Sequence, residues 1–341
     1  MSNPILVEIT RGSLVESVHR GAIAIARADG EITYSLGDIE SPVYPRSSLK
    51  PVQALPLIES GAADAFGLAD EELALACASH SGEPIHTARV AAWLMKIGCI
   101  ESDLACGAHP VRYEPVWHEM VRLGLPATRI HNNCSGKHTG FLTVARHWDV
   151  AIKGYELHSH PVQQAVAKVL GDLSGIPAEL PWGIDGCAAP NFALSLSAFA
   201  RAFAKLADPG ALPGVRAAAA RRLVRAMIAH PELVAGTGRS DTILMRACRG
   251  RAATKTGAEA FYAAIIPEAG LGIALKIDDG AGRASETVIA AILDKLALLS
   301  DDKAARELIR APVRNTRDAV VGERRPARAL VDAKIEALPA Q

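Results

Sequence analysis

No charge of either sign prevails in this chain: 37 lysines and arginines face 37 aspartates and glutamates over 341 residues, so the formal net charge at pH 7 is zero. A surface built to grip a phosphate backbone or an anionic membrane needs a basic excess, and the totals supply none. Aromatic residues are scarce as well, at 4%, which leaves few platforms on which single-stranded bases could stack. Neither a nucleic acid nor a membrane is expected as a partner. No run of 18 apolar residues occurs, and the opening MSNPILVEIT has neither a basic leader nor a long apolar stretch, so the expected location is the cytoplasm. Cysteine is sparse: Cys77, Cys99, Cys106, Cys134, Cys187 and Cys248 form no Cys-x-x-Cys pair. That density lies far below a disulfide scaffold and points to buried thiols or ligands rather than bridges. Internal repeats and low-complexity linkers are absent too.

What the chain does have is an apolar content of 49% and a mean hydropathy of +0.15, enough for a compact core. Between Leu14 and Leu36, β-branched runs flank Ala28-Asp29-Gly30, which predicts a β-hairpin. The stretch 47–61 looks helical but contains Pro51 and Pro56, so a helix there must start late or bend. Helical periodicity recurs over 70–78, 85–97, 114–123, 139–147, 161–173 and 217–230. From Phe261, FYAAIIPEAGLGIALKIDDG reads as two strands around Glu268-Ala269-Gly270, followed by an amphipathic helix over 284–299. Strands, then helices, then strands and a helix give an α+β fold: one antiparallel sheet formed by N- and C-terminal strands, with helices inserted between. A single domain over 1–341 is expected, with a helical part around 50–250. From Arg201 to Lys255, 11 basic residues oppose 3 acidic ones; this is either a solvated face or a positive surface for an acidic substrate or partner.

Ser47-Ser48-Leu49-Lys50 is a Ser-x-x-Lys at the opening of a helical stretch. Three residues apart on a helical turn share a face and two apart do not, so Ser47, rather than Ser48, is the candidate nucleophile for Lys50. An ordinary lysine is protonated at neutral pH, so a catalytic base here requires burial or a second cation to lower its pKa by roughly 3 units. Lys255-Thr256-Gly257 precedes the strand at Phe261, and serine β-lactamases and penicillin-binding proteins combine Ser-x-x-Lys with Lys-Thr-Gly in this order. Their middle motif, Ser-Asp-Asn, is missing; Ser79-His80-Ser81 lies nearest to its place. That departure argues against β-lactam chemistry and leaves a Ser/Lys amidohydrolase. Two further clusters, Asn132-Asn133-Cys134-Ser135-Gly136-Lys137-His138 and Gly183-Ile184-Asp185-Gly186-Cys187, admit three readings. They are glycine turns with buried thiols, a soft metal site, or a cysteine nucleophile with His138 or His80 as base. Gly236-Thr237-Gly238 is too short for a nucleotide fingerprint, and His158 and His160 before Pro161 suit a helix cap better than a metal.

Taken together, TRGSLVESVHRG, YPRSSLKPVQ, CASHSGEP, NNCSGKHTGF and GIDGCAAPN resemble the L-asparaginases of the Rhizobium etli type, the class 3 asparaginases, over nearly the whole length. The resemblance implies a serine β-lactamase/glutaminase-like fold and hydrolysis of L-asparagine to L-aspartate and ammonia. It implies two Ser/Lys pairs, Ser47 with Lys50 and Ser79 with Lys255. It also implies a zinc site of Cys134, Lys137 and Cys187, and substrate contacts from Arg46, His138 and Asp185; an aspartate suits an α-ammonium and an arginine a carboxylate. A lysine ligand must be neutral, so metal charge and burial would have to depress it. By analogy of fold the expected assembly is a homodimer. The rival readings are a β-lactam-recognising serine acyl transferase and a non-catalytic amino-acid-binding module.

Overall fold

The computed structural model describes residues 2–176 and 179–338. Ten strands run along the described residues: β1 (Ile5–Arg11), β2 (Leu14–Arg27), β3 (Ile32–Leu36), β4 (Trp182–Ile184), β5 (Pro190–Phe192), β6 (Ala253–Thr256), β7 (Phe261–Ile266), β8 (Leu271–Ile277), β9 (Ala311–Arg314) and β10 (Val320–Pro326). The chain divides into two compact units. The first comprises Met1–Ser48, Leu194–Asp208 and Ile243–Gln341, and the second Leu49–Ala193 and Pro209–Thr242.

The first unit is an antiparallel sheet in the order β6-β7-β8-β2-β1-β10-β9, with β3 paired to β2. Strands from both ends of the chain are therefore hydrogen-bonded to one another, as the α+β reading requires. The pivot is β2, whose 14 residues pair with β1 over Leu14–Arg20 and with β8 over Gly21–Arg27. Register shifts between Ile5 and Val7 and between Ile9 and Thr10 are bulges that bend the sheet and let it curl. The β2–β3 hairpin turns at Asp29-Gly30, where Gly30 takes φ 98. Residues 22–26 of β2 are all buried, because a helix packs on each face. Ile23, Ile25, Ile273 and Leu275 pack with Val288 and Ile292 of the helix Gly282–Lys295. The helix Leu196–Ala207 packs on β2, β7 and β8, with Phe199 edge-on to Phe261 at 5.4 Å between centroids. Phe199 and Phe203 are fully buried, and such burial stabilises by about 1.5–3 kcal/mol per side chain. Covering both faces removes the period of two, and the strands read as continuous apolar runs.

The second unit is helical. After the 3-10 turn Arg46–Leu49, whose first three residues belong to the first unit, come the helices Lys50–Gln53 and Leu55–Glu59; Pro51 and Pro56 each stand in the first turn of one of them, where the missing backbone donor is tolerated. The helices Asp70–Ala76, Pro84–Lys96, Glu114–Arg122, Pro161–Ser174 and Gly214–Ala229 match the expected spans to within a few residues. At the start of Pro161–Ser174, His160 caps by accepting from the amide of Val162 at 3.2 Å. The helix Ser135–His147 starts four residues ahead of the expected 139, and every residue from Ser135 to Ala145 is buried. Its first turn is polar, which made it look like a loop. The helix Leu196–Ala207 and the strands β9 and β10 lie outside the sequence expectation. Ten of that helix's twelve residues are buried.

Much of the basic stretch is neutralised within its own unit. Arg216 pairs with Glu59 and Asp172, Arg222 with Asp64, Arg225 with Asp70, and Arg251 with Glu268. No helix among the described residues is long and apolar enough to cross a membrane.

Candidate active site

In the first unit, the turn before the Ser-x-x-Lys is made by Arg46 at φ 51, a left-handed conformation that a non-glycine residue adopts only when its surroundings hold it there. Ser48 is fully buried and its hydroxyl donates to the carbonyl of Lys255 at 2.7 Å, so this serine fastens the turn to β6. Ser47 is half-buried, and its hydroxyl makes no hydrogen bond among the described residues. Lys255, 1% exposed, lies within β6, the edge strand of the sheet, and its amine donates to the carbonyl of Thr256 at 2.8 Å. Gly257 completes the motif because a Cβ there would stand 2.3 Å from the carbonyl oxygen of Pro45 and 2.9 Å from the Ser48 hydroxyl.

In the second unit, Lys50 opens a helix whose next residue is Pro51. Its side chain is 1% exposed and donates to the carbonyl of Ala78, to the hydroxyl of Ser79 at 3.0 Å, and to the carbonyl of Asn133 at 3.4 Å. Burial pushes the Lys50 amine below the ordinary lysine value, and Lys137 adds to this while Cys134 and Cys187 oppose it. Ser79 is 3% exposed, and its amide donates to the carbonyl of Val234 at 2.9 Å. Lys50 and Ser79, 29 residues apart, are thus brought into contact within one unit, while Ser47 and Lys255 belong to the other.

Beside Lys50, Cys134 and Cys187 are each 5% exposed and Lys137 3%, although 53 residues of sequence separate the two sulfurs. The Lys137 amine lies 3.0 Å from Cys187 Sγ, and Cys134 Sγ lies 3.1 Å from Asn133 Oδ1. A hydrogen bond from Cys134, reinforced by the charge of Lys137, holds Cys187 well below the usual thiol range, while Cys134 is held above it. Burial acts to lower Lys137, but the two sulfurs outweigh it and raise the amine. His138 receives Tyr155 at 2.6 Å on Nδ1, and its buried Nε2 has no hydrogen-bond partner among the described residues. Asp185, half-buried, accepts from the amide of Gly186 at 2.6 Å, and its charge favours protonated Lys137. Among the described residues no three His, Cys, Asp or Glu side chains gather as a metal site; the group here is two sulfurs and an amine. That donor set, desolvated and with an orphaned imidazole nitrogen beside it, is chemically suited to a borderline metal such as zinc.

The family model for L-asparaginase II matches residues 7–326. The chain belongs to the L-asparaginase II family. Membership makes it an amidohydrolase acting on a small molecule. No curated protein matches the sequence. Among solved structures it is similar to one described as Mglu in its native form, at 14% identity over 88% of this chain and 70% of that one, with a TM-score of 0.48. It is similar to a β-lactamase from Mycobacterium bovis, at 13% identity over 78% and 89% with a TM-score of 0.41. It is also similar to simvastatin synthase from Aspergillus terreus, at 13% identity over 84% and 90% with a TM-score of 0.37.

Two contributors to this asparaginase-family site receive no role from the sequence, although Asn133 stands within the Asn132-to-His138 cluster. Asn133 offers its carbonyl to Lys50 and its amide oxygen to Cys134, and Tyr155 reaches His138 from outside every motif. His80, one sequence candidate for a base, is fully committed. Its Nδ1 accepts from the amide of Gly82 at 3.2 Å, its Nε2 meets Ser135 at 2.9 Å, and burial holds it well below the ordinary imidazole value. The Gly236-Thr237-Gly238 segment is a packing loop, since Thr237 donates twice to Glu83.

Proposed function

We propose that this chain is a class 3 type L-asparaginase, converting L-asparagine and water to L-aspartate and ammonia. The observation that carries the reading is the buried Lys50 amine, lowered by burial and 3.0 Å from the Ser79 hydroxyl, in a member of an asparaginase family. In the proposed reaction Ser47 Oγ attacks the side-chain amide carbon as Lys50 accepts its proton. The tetrahedral intermediate collapses with loss of ammonia, to which Ser79 relays the proton from Lys50, and water then hydrolyses the seryl ester. Lys255 is assigned as the cation that stabilises the developing oxyanion. Arg46 and His138 are assigned as polar substrate contacts, and Asp185 as the partner of the α-ammonium.

Zinc is the proposed cofactor, held by Cys134, Lys137 and Cys187. What supports it is the gathering of two buried thiols and an amine in which Cys187 already favours the thiolate. Because Lys137 is an ammonium in the metal-free chain, binding must release protons and strengthen as pH rises. When bound, the ion supplies a positive charge that orients a substrate oxygen.

The test is ammonia release from L-asparagine, L-glutamine and simple amides, beside hydrolysis of a chromogenic β-lactam. Turnover of asparagine with none of the lactam is expected. Lactam hydrolysis would favour the acyl-transferase reading, and asparagine binding without turnover would favour the binding module.

A further inference from the structure

Among the arginines of the second unit, Arg112, Arg221 and Arg239 have no side-chain hydrogen bond or ion pair among the described residues, and of these Arg112 and Arg239 stand on segments that touch one another. Arg216, Arg222 and Arg225 each meet a carboxylate. Arg112 is tied through its backbone to the segment that carries Ser79, and Arg239 closes a turn on Gly236. The amide of Arg112 donates to the carbonyl of Ser81 at 2.8 Å, and that of Arg239 to the carbonyl of Gly236 at 3.3 Å.

The segments that carry them are locked together by Glu83. Its carboxylate accepts from the Ser81 hydroxyl, from the Thr237 amide at 2.8 Å and from the Thr237 hydroxyl at 2.7 Å. Ser79 joins the same clamp through its amide on Val234. Gly236, at φ 120, is where the two segments touch, since a Cβ there would fall 1.9 Å from the Ser81 hydroxyl oxygen. Glu83 is 6% exposed and saturated by these three bonds. Each arginine is accessible, Arg112 being exposed and Arg239 half-buried. Arg112 lies close enough to Arg239 for the like charge to disfavour its protonated form, and its own charge reaches His80, the neighbour of Ser79, and Cys134. Two like charges kept together without a counter-ion are unfavourable unless an anion completes the set. A planar carboxylate is what guanidinium forks match best.

We propose that Arg112 and Arg239 form the seat of the substrate's α-carboxylate, and that Glu83 is the positioning residue that holds the two segments bearing them beside Ser79. This rests on the asparaginase reading and deepens it: specificity for an amino-acid amide over a simple amide comes from the second unit, through residues distinct from Arg46.

The experiment is steady-state ammonia release by Arg112→Met, Arg239→Met and the conservative Arg→Lys variants. The substrates are L-asparagine and 3-aminopropanamide, which is asparagine without its α-carboxylate; where it is not turned over, its inhibition constant is read instead. Each Met variant should raise KM for asparagine at least tenfold with a much smaller change in kcat, the pattern of lost uniform binding. The constant for 3-aminopropanamide should stay as in the wild type, and Lys should recover part of the loss. Glu83→Gln should raise KM for asparagine by less than either Met variant, and Glu83→Ala by more than Gln. Asparagine turnover with KM within twofold of wild type in both Met variants overturns the seat and leaves the asparaginase reading standing. Equal losses for both compounds overturn it as well, since the arginines would then act through the fold. No turnover of asparagine by the wild type overturns the asparaginase reading and the seat together.

Discussion

Replacing Lys50 by Met tests the centre of the proposed chemistry, and its two consequences have different sizes. The amine donates to the carbonyls of Ala78 and Asn133 and to the Ser79 hydroxyl. Removing it leaves two buried carbonyls short of a donor, at about 1–3 kcal/mol each. Against this, methionine fills nearly the same volume and removes a buried polar amine, whose desolvation costs about 1–3 kcal/mol. The opposing effects leave a net loss of stability of about 2 kcal/mol, so the variant should fold. Catalysis has no such compensation: loss of a positioned general base lowers turnover by about 10²–10⁴-fold. Lys50→Arg separates a base from a mere cation, because guanidinium keeps the charge and does not deprotonate. Both variants are therefore expected to be inactive within that range while melting close to the wild type, measured by ammonia release at saturating asparagine and by thermal denaturation. Lys50→Arg retaining a tenth or more of wild-type turnover would refute the base assignment.

Ser47→Ala should abolish turnover, whereas Ser48→Ala should keep it and lose about 1–3 kcal/mol of stability in denaturant titration, because the Lys255 carbonyl loses its buried donor. A dead Ser48→Ala with an active Ser47→Ala would reverse the assignment of the nucleophile. Elemental analysis should find stoichiometric zinc in the parent and little in Cys134→Ser or Cys187→Ser; zinc unchanged in both variants would return these sulfurs to buried thiols. Hydrogen bonds from Ser81 and Thr237 outweigh burial and hold the Glu83 carboxyl below its ordinary value of 4.5. Its advantage over Glu83→Gln should therefore be full at neutral pH and shrink as pH falls from the ordinary value through the lowered one. A stability gap that stays constant on acidification would contradict that role.

The parts of this protein legible in its sequence are those specified by neighbours a few residues away. Asp29-Gly30 marks the β2–β3 hairpin, and Pro51 and Pro56 each stand in the first turn of a short helix, so that no single helix runs through the stretch. That strands from both ends of the chain share one antiparallel sheet was readable because apolar runs lie at both ends, while the strand order, with β9 and β10 at one edge, was not. The hidden parts depend on distant partners or on burial that removes the pattern. Nothing within a few residues of Lys50 tells that its amine meets Ser79, and the polar turn from Ser135 to His138 resembles a surface loop although it is fully buried. The two cysteines were brought together by resemblance, and 53 residues of intervening chain would not have done it. Tyr155, which reaches His138, stands in no motif at all.

Two lysines buried in the same unit are driven in opposite directions, and the reason lies in what surrounds each one. Lys50 points at backbone carbonyls and a serine hydroxyl, and burial outweighs the opposing pull of Cys134 and Cys187, so the amine is lowered. Lys137 is just as buried but touches Cys187 at 3.0 Å, and the sulfur charge reverses the balance and raises it. Each also makes the other's ammonium form less favourable where their fields overlap; with Lys137 committed to the charged state, Lys50 carries the cost. Divergent values for like groups at one site are what assign acid and base roles in an enzyme. Here, in the chain without metal, the sulfur pair beside Lys137 keeps that lysine charged, and the charge of Lys137 offsets part of the upward pull that the same sulfurs exert on Lys50, whose lowering comes chiefly from burial.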